Sequence, residues 1–233
     1  GDPVNNAYNL MDRRAKQQVA SIKNAVGEDK IFEITKNRLD DHPEIINLMW
    51  EKENRPDDFA RIDKALTIDG FITMKLTGRA TGHYSGAAFY GVAYDLLKRE
   101  FNQELLDIAG INRRLFPQLC NCSDLVGEVT PQAAEKTGLV PGIAVAAGQV
   151  DCNAGWSGAG MVEEGDMQMN LGTCGNFGIL THDTRFSDTM INFSYTTDSE
   201  NTYIIVPTTT TGGQLIRYMR DNFYLYEKAR EKE

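Results

Sequence analysis

The chain has 233 residues, 41% of them hydrophobic and 24% charged, an ordinary globular composition that argues against disorder. Its 24 Lys and Arg against 33 Asp and Glu give a net charge of -9, which argues against binding to nucleic-acid phosphates, since that needs clustered basic residues. No apolar run approaches the roughly 20 residues that span a bilayer, and Gly1-Asp2-Pro3-Val4-Asn5-Asn6 lacks the charged-then-apolar pattern of a signal peptide, so the expectation is a soluble protein with no membrane partner.

Asp12 to Val26 places Ala15, Val19, Ile22 and Val26 at helical spacing and predicts a surface helix. A second helix is expected from Asp41 or His42, with Pro43 in its first turn, a buried face of Ile45, Ile46, Leu48, Met49 and Trp50, and an end before Pro56. Asp57 to Lys75 suits one or two short helices, closed by Leu76-Thr77-Gly78. Tyr94 to Ala109 reads as one amphipathic helix, with Leu96, Leu97, Phe101, Leu105, Leu106 and Ile108 apolar.

The pattern then turns β-like at Asp124 to Val129. Thr130 can cap a short helix that starts at Pro131 and stops at Gly138. Ile143-Ala144-Val145-Ala146-Ala147 is a continuous apolar run of the kind found in strands buried on both faces, and Asp151 lies just past its end. Met167 to Leu171 and Phe177 to Leu180 predict two strands joined by Gly172-Thr173-Cys174-Gly175. A further strand at Tyr203 to Val206 leads through Pro207, four threonines and Gly212-Gly213 into a helix from about Gln214 to Arg230.

Four cysteines, Cys120, Cys122, Cys152 and Cys174, are too few for a disulfide framework, so reduced thiols and a cytoplasmic location are expected. Cys120-Asn121-Cys122 has no second Cys or His pair at ligand spacing, and His42, His83 and His182 are scattered, so structural thiols are expected rather than a metal site. Gly158-Ala159-Gly160 fails as a dinucleotide fingerprint because Glu163 stands where the third glycine belongs.

A carboxylate at the end of a buried strand is held rigidly and faces the crevice where open α/β sheets bind ligands. Asp151 has that placement, although an acidic residue there can also cap the helix that follows. Gly172-Thr173-Cys174-Gly175 offers approachable backbone N–H groups and a hydroxyl, and Gly212-Gly213 before a helix can present N–H groups to a phosphate; either can also be a plain turn.

These pieces in this order resemble the FGGY carbohydrate kinases, the family of xylulokinase, gluconate kinase and glycerol kinase. The most specific stretch runs from Leu125-Val126-Gly127-Glu128-Val129-Thr130-Pro131 through Gly142 to Ala147-Gly148-Gln149-Val150-Asp151, supported by Asp12-Arg13-Arg14, Trp50-Glu51-Lys52-Glu53-Asn54, Leu76-Thr77-Gly78 and Tyr84-Ser85-Gly86-Ala87.

The resemblance implies an α/β, actin-like ATPase (ribonuclease H-like) fold and phosphorylation of a sugar or polyol hydroxyl by ATP and Mg. Asp151 would be the general base. Tyr84 would line the sugar site, while Leu10 and Cys152 stand where relatives carry a substrate-facing Trp and an Asn or Gln. Gly172, Thr173 and Gly213 would hold ATP phosphates. A ketopentose such as xylulose is the expected substrate, because Thr130 to Gly142 reads most like xylulokinases.

Residues 1–160 would form most of the first, sugar-binding domain and residues 161–233 the start of the nucleotide-binding one. The family's Asp-containing phosphate hairpin and Gly-rich adenosine site are not among these residues, so this chain by itself is expected not to turn over, and its metal ligands are not identified. Two other readings stay open: a non-catalytic sugar-sensing module, and a structural unit whose helical half and Trp50 form an oligomer face, such as a homodimer's.

Overall fold

The computed structural model describes residues 1–9, 12–39, 44–172, 175–209 and 211–230. Leu10, Thr173 and the expected helix start at Asp41, His42 and Pro43 lie outside them.

The first half is helical. α1 (Lys16–Val26) buries Ile22, and Gly27 at φ 89° turns the chain into α2 (Glu28–Thr35), whose Ile31 is buried. α2 is absent from the sequence expectation because its buried positions, Ile31 and Thr35, span one helical turn only. α3 (Glu44–Asn54) ends before Pro56, which opens α4 (Pro56–Ala60). α5 (Ile68–Thr77) stops at Gly78, at φ 77°, with the Gly78 N–H donated to the Met74 carbonyl.

β1 (Thr81–His83) leads into the single turn α6 (Tyr84–Ala87). The expected helix from Tyr94 is replaced over its first half by a hairpin of β2 (Tyr94–Asp95) and β3 (Glu100–Phe101), and only α7 (Gln103–Ala109) is helical. The physical reason is local and tertiary together. Lys98 N–H donates to Asp95 Oδ1 (3.0 Å), Arg99 takes φ 58°, and the paired Tyr94 and Phe101 rings meet edge to face at 5.7 Å.

β4 (Gln118–Cys120) pairs in parallel with β1. β5 (Leu125–Glu128) is followed by α8 (Pro131–Thr137), where Thr130 Oγ1 accepts from Ala133 N–H and Gly138 closes the helix. β6 (Ala144–Ala146) pairs antiparallel with β5. The apolar run expected to be interior is exposed at Ala144 and Ala146 and half-buried at Val145, because among the described residues β6 has β5 as its sole strand neighbour. α9 (Asp151–Gly158) follows at once.

The second half is an antiparallel sheet of β7 (Met167–Leu171), β8 (Gly175–Thr181), β9 (Ile191–Ser194), β10 (Tyr203–Val206) and β11 (Thr208–Thr209). β8 is central, with β7 on one side and β10 on the other; β11 continues β10 beyond Pro207, and β9 lies outside β10. The expected final helix is two, α10 (Gly213–Phe223) and α11 (Leu225–Arg230), because Tyr224 at φ -116° and ψ 50° leaves helical backbone.

One core joins α1, α2, α3 and α7 to the aromatic group Tyr90, Tyr94, Phe101 and Phe116, in which Phe101 and Phe116 stack at 4.7 Å. A second, of Trp156, Met161, Leu180, Phe193, Tyr195, Ile204 and Val206, packs α9 onto the sheet. Asn37 and Asn192 tie the halves reciprocally: Asn37 Nδ2 donates to the Asn192 carbonyl and Asn192 N–H to Asn37 Oδ1, both at 2.8 Å.

Candidate active site

Asp151 is the first residue of α9 and is exposed. It does not cap the helix from outside, since Val150 holds that place; its Oδ1 accepts from the Cys152 N–H at 2.6 Å. The helix behind it is fixed from below. Trp156 is 1% exposed, and its indole lies so close to Gly178 of β8 that a Cβ there would sit 2.8 Å from the ring. Buried Asn153 donates to the Ser194 carbonyl of β9 at 3.3 Å. An otherwise apolar layer therefore holds a solvated carboxylate at a defined helix start.

Cys152 is half-buried. Burial and then the Asp151 charge push its thiol up to about 11, so at neutral pH it is a neutral group beside the carboxylate.

Tyr84 opens α6, and the next residue links it to Asp151: Ser85 Oγ accepts the Val150 N–H at 3.3 Å. The Tyr84 ring is covered by the Arg99 guanidinium, 3.8 Å from its centroid. Arg99 is held in turn by Ser199 Oγ (2.9 Å), Asn121 Oδ1 (3.2 Å) and Glu200 (2.7 Å). A cavity of about 360 Å3 lies beside them, lined by Tyr84, Arg99, Glu100, Phe101, Arg113 and Gln118 among others; Asp151 is not part of its wall.

Gly172 and Gly213, 41 positions apart in the chain, are brought together: Gly213 N–H donates to the Gly172 carbonyl at 2.7 Å, and a Cβ on Gly213 would fall 2.5 Å from that oxygen. Gly213 is thus required by close approach of the two backbones, and its amide is engaged at the start of α10. The same two segments approach at a second point, since a Cβ on Gly175 would lie 3.5 Å from Gly212 Cα. Among the described residues no three His, Cys, Asp or Glu side chains converge to hold a metal.

Sequence reasoning singled out Tyr84 but passed over its neighbours. His83 and Asp69 are hydrogen-bonded behind it, with Ser85 beside them. Ser85 lies in the motif Tyr84-Ser85-Gly86-Ala87 and His83 just before it, but nothing in the sequence pairs them with Asp69, fourteen residues earlier than His83 on another element.

Residues 1–158 match the N-terminal domain of the FGGY family of carbohydrate kinases. The chain is 30% identical over 173 residues to a xylulose kinase of Lactococcus lactis, covering 74% of this chain and 34% of that protein. It is 33% identical over 129 residues to an L-fuculokinase of Escherichia coli, covering 55% and 27%. In structure it is similar to the xylulose kinase of Rhodospirillum rubrum (TM-score 0.83, 22% identity, 90% of this chain and 42% of that one). The glycerol kinase of Plasmodium falciparum with ADP also superposes at a TM-score of 0.83, with 17% identity, over 95% of this chain and 45% of that one. The chain therefore spans about a third of the length of the relatives matched by sequence, and its fold is the actin-like ATPase architecture of the sugar kinases.

Proposed function

Because this chain belongs to the FGGY family of carbohydrate kinases, we propose that it carries the catalytic base of an enzyme transferring a phosphoryl group from ATP to a hydroxyl of a small sugar or polyol. Asp151 takes the hydroxyl proton, the sugar oxygen forms a bond to the γ-phosphorus, and the bond to the β-phosphate oxygen breaks to release ADP. The observation that carries this is an unburied carboxylate on a helix start anchored from beneath by Trp156 and Asn153.

Tyr84 and Cys152 belong to the sugar side in this reading, as does Leu10. Gly172, Thr173 and Gly213 belong to the phosphate side in this reading; the junction of Gly172 with Gly213 supports placing those two together, but the Gly213 N–H is taken up by the Gly172 carbonyl, so Gly213 serves by close backbone approach and not as the phosphate donor expected from the sequence. We place the boundary between the two domains near residue 160. Magnesium enters as the ion that accompanies ATP, with no step assigned to a protein-held metal.

Several xylulose kinases are among the sequence relatives, which favours a ketopentose such as xylulose, while L-fuculokinase, also similar, marks the neighbouring substrate class. The test is ATP consumption by the whole protein across a panel of ketoses and polyols. Sugar-dependent ADP release is expected, and Asp151→Asn is expected to lower kcat by about 10^3-fold or more with little change in sugar affinity. Unchanged turnover in that variant would remove Asp151 from the chemistry.

A further inference from the structure

We infer that Asp69, His83 and Ser85 form a buried hydrogen-bond relay whose task is to position Asp151, through the Val150 amide that Ser85 holds. The inference rests on the reading of Asp151 as the base.

The relay draws on four parts of the chain. His83 ends β1 and is 3% exposed; its Nε2 is hydrogen-bonded to Asp69 Oδ2 of α5. On the other side of the ring, Nδ1 receives the Gly86 N–H at 3.0 Å and the Ser85 hydroxyl at 2.9 Å. Ser85 is fully buried, and its Oγ accepts two donors, Val150 N–H at 3.3 Å and Cys122 Sγ at 3.4 Å.

One proton donated and two accepted exhaust what a serine hydroxyl can do. That count, with no exposed surface on Ser85, excludes a nucleophilic role for a trio whose order would otherwise suggest acyl transfer. What remains is a fixed acceptor presented to one amide. That amide is the N-cap residue of α9, one residue before the carboxylate.

The groups facing the ring are Asp69 from α5, Cys122 from the loop after β4, and Ser85 and Gly86 from α6. Burial disfavours charge on the imidazole, whereas the hydrogen bonds to Asp69 and Cys122 favour it and would carry its pKa to about 9. The Gly86 N–H decides against the charged ring, because an imidazolium has no lone pair at Nδ1 to receive it. The ring is therefore neutral, with its proton on Nε2 toward Asp69, and in that form alone the Nδ1 lone pair is open for the Gly86 amide and the Ser85 hydroxyl to share.

The far part of α9 has its own anchors in Asn153 and Trp156, and Gln149 is hydrogen-bonded to Thr196 Oγ1. The relay is the contact that acts on Val150 itself. A base must stand within about 2.6–3.2 Å of the oxygen whose proton it removes, and a misplacement of about 1 Å can cost on the order of 10^2-fold in rate.

The experiment combines kinetics with amide exchange on the whole protein. Ser85→Ala is expected to lower kcat about 10- to 100-fold while the sugar KM stays within about twofold, and to speed hydrogen exchange at Val150 and Asp151. His83→Asn, whose side-chain oxygen can replace Nδ1 as acceptor for Ser85 and Gly86, is expected to retain most of kcat, whereas His83→Ala loses as much as Ser85→Ala. Gly86→Ala supplies a second route if Ser85→Ala fails to fold, since its new methyl would sit 2.7 Å from His83 Cε1 and push the ring.

Exchange at Val150 unchanged in both Ser85→Ala and Gly86→Ala overturns the relay whatever the activity. So does a folded Ser85→Ala protein with kcat within about twofold of the parent. A parent protein that never consumes ATP with any sugar defeats the proposed function instead, and the exchange measurement still decides whether the relay holds the helix start.

Discussion

Cys152 reports on its neighbour. Its thiol is held up to about 11 by burial and by the Asp151 carboxylate, and the reactive species is the thiolate. Alkylation of Cys152 by iodoacetamide, followed by peptide mass spectrometry, is therefore expected to be slow at pH 8 and to rise steeply as the pH approaches 11. Asp151→Asn removes a negative charge that opposes thiolate formation, so the thiol pKa must fall; labelling at pH 8 should speed up by about threefold or more. An unchanged rate would mean that the two side chains do not feel each other.

At this scale the sequence was informative about placement and silent about partnership. Asp151 could be singled out because it lies just past an apolar run, and Tyr84 because its short motif resembles that of the FGGY kinases. Asn153 and Ser85 could not. Asn153 has a role because Ser194 of β9 lies 3.3 Å away, and Ser85 because residues 83, 122 and 150 converge on it; such meetings exist after folding only.

Among the elements, α9 depends on the missing side chain at position 178. The Trp156 indole fills the space a Cβ would need. Gly178→Ala is therefore expected to force the indole or strand β8 aside and to cost about 1–3 kcal/mol, read as a lower midpoint in urea unfolding. Because Trp156 and Asp151 share one helix, the sugar-dependent turnover proposed above should fall further than stability alone explains. Wild-type unfolding and kinetics in Gly178→Ala would show that the close approach is slack.

Helix ends are legible where capping signals stand, and the strands Met167–Leu171 and Tyr203–Val206 are legible from their apolar pattern. Thr130, Pro131 and Gly138 mark α8 at both ends, and Gly78 marks the end of α5. The hairpin of β2 and β3 reads as helix in the sequence because Leu96, Leu97 and Phe101 keep helical spacing. Its turn rests on Asp95 accepting from Lys98 and on a non-glycine residue, Arg99, at positive φ, neither of which spacing reveals. The run at β6 misled for another reason: apolarity fixed it as a strand, but burial depends on neighbouring strands, and among the described residues it has one.

Across the molecule, the apolar residues left in solvent are concentrated late in the chain. Leu215, Ile216, Tyr218, Phe223, Tyr224 and Tyr226 of α10, α11 and the break between them are each more than half exposed, as is Met167 of β7. A face of that kind promotes association in water. The 233-residue chain is expected to elute above its monomer mass of 26.0 kDa and to bind an apolar dye, and Ile216→Glu with Phe223→Glu should reduce both. Monomeric elution without dye binding would show that the face is covered.

The reciprocal amide pairing of Asn37 with Asn192 bears on how such a molecule can flex. Asn192 has no exposed surface and also donates to the Lys36 carbonyl at 2.6 Å, so swinging β9 away from α2 would break several hydrogen bonds at once. The sheet up to β10 is in that sense riveted to the helical half. Any motion of one half against the other must then bend the chain elsewhere, away from this pair of asparagines.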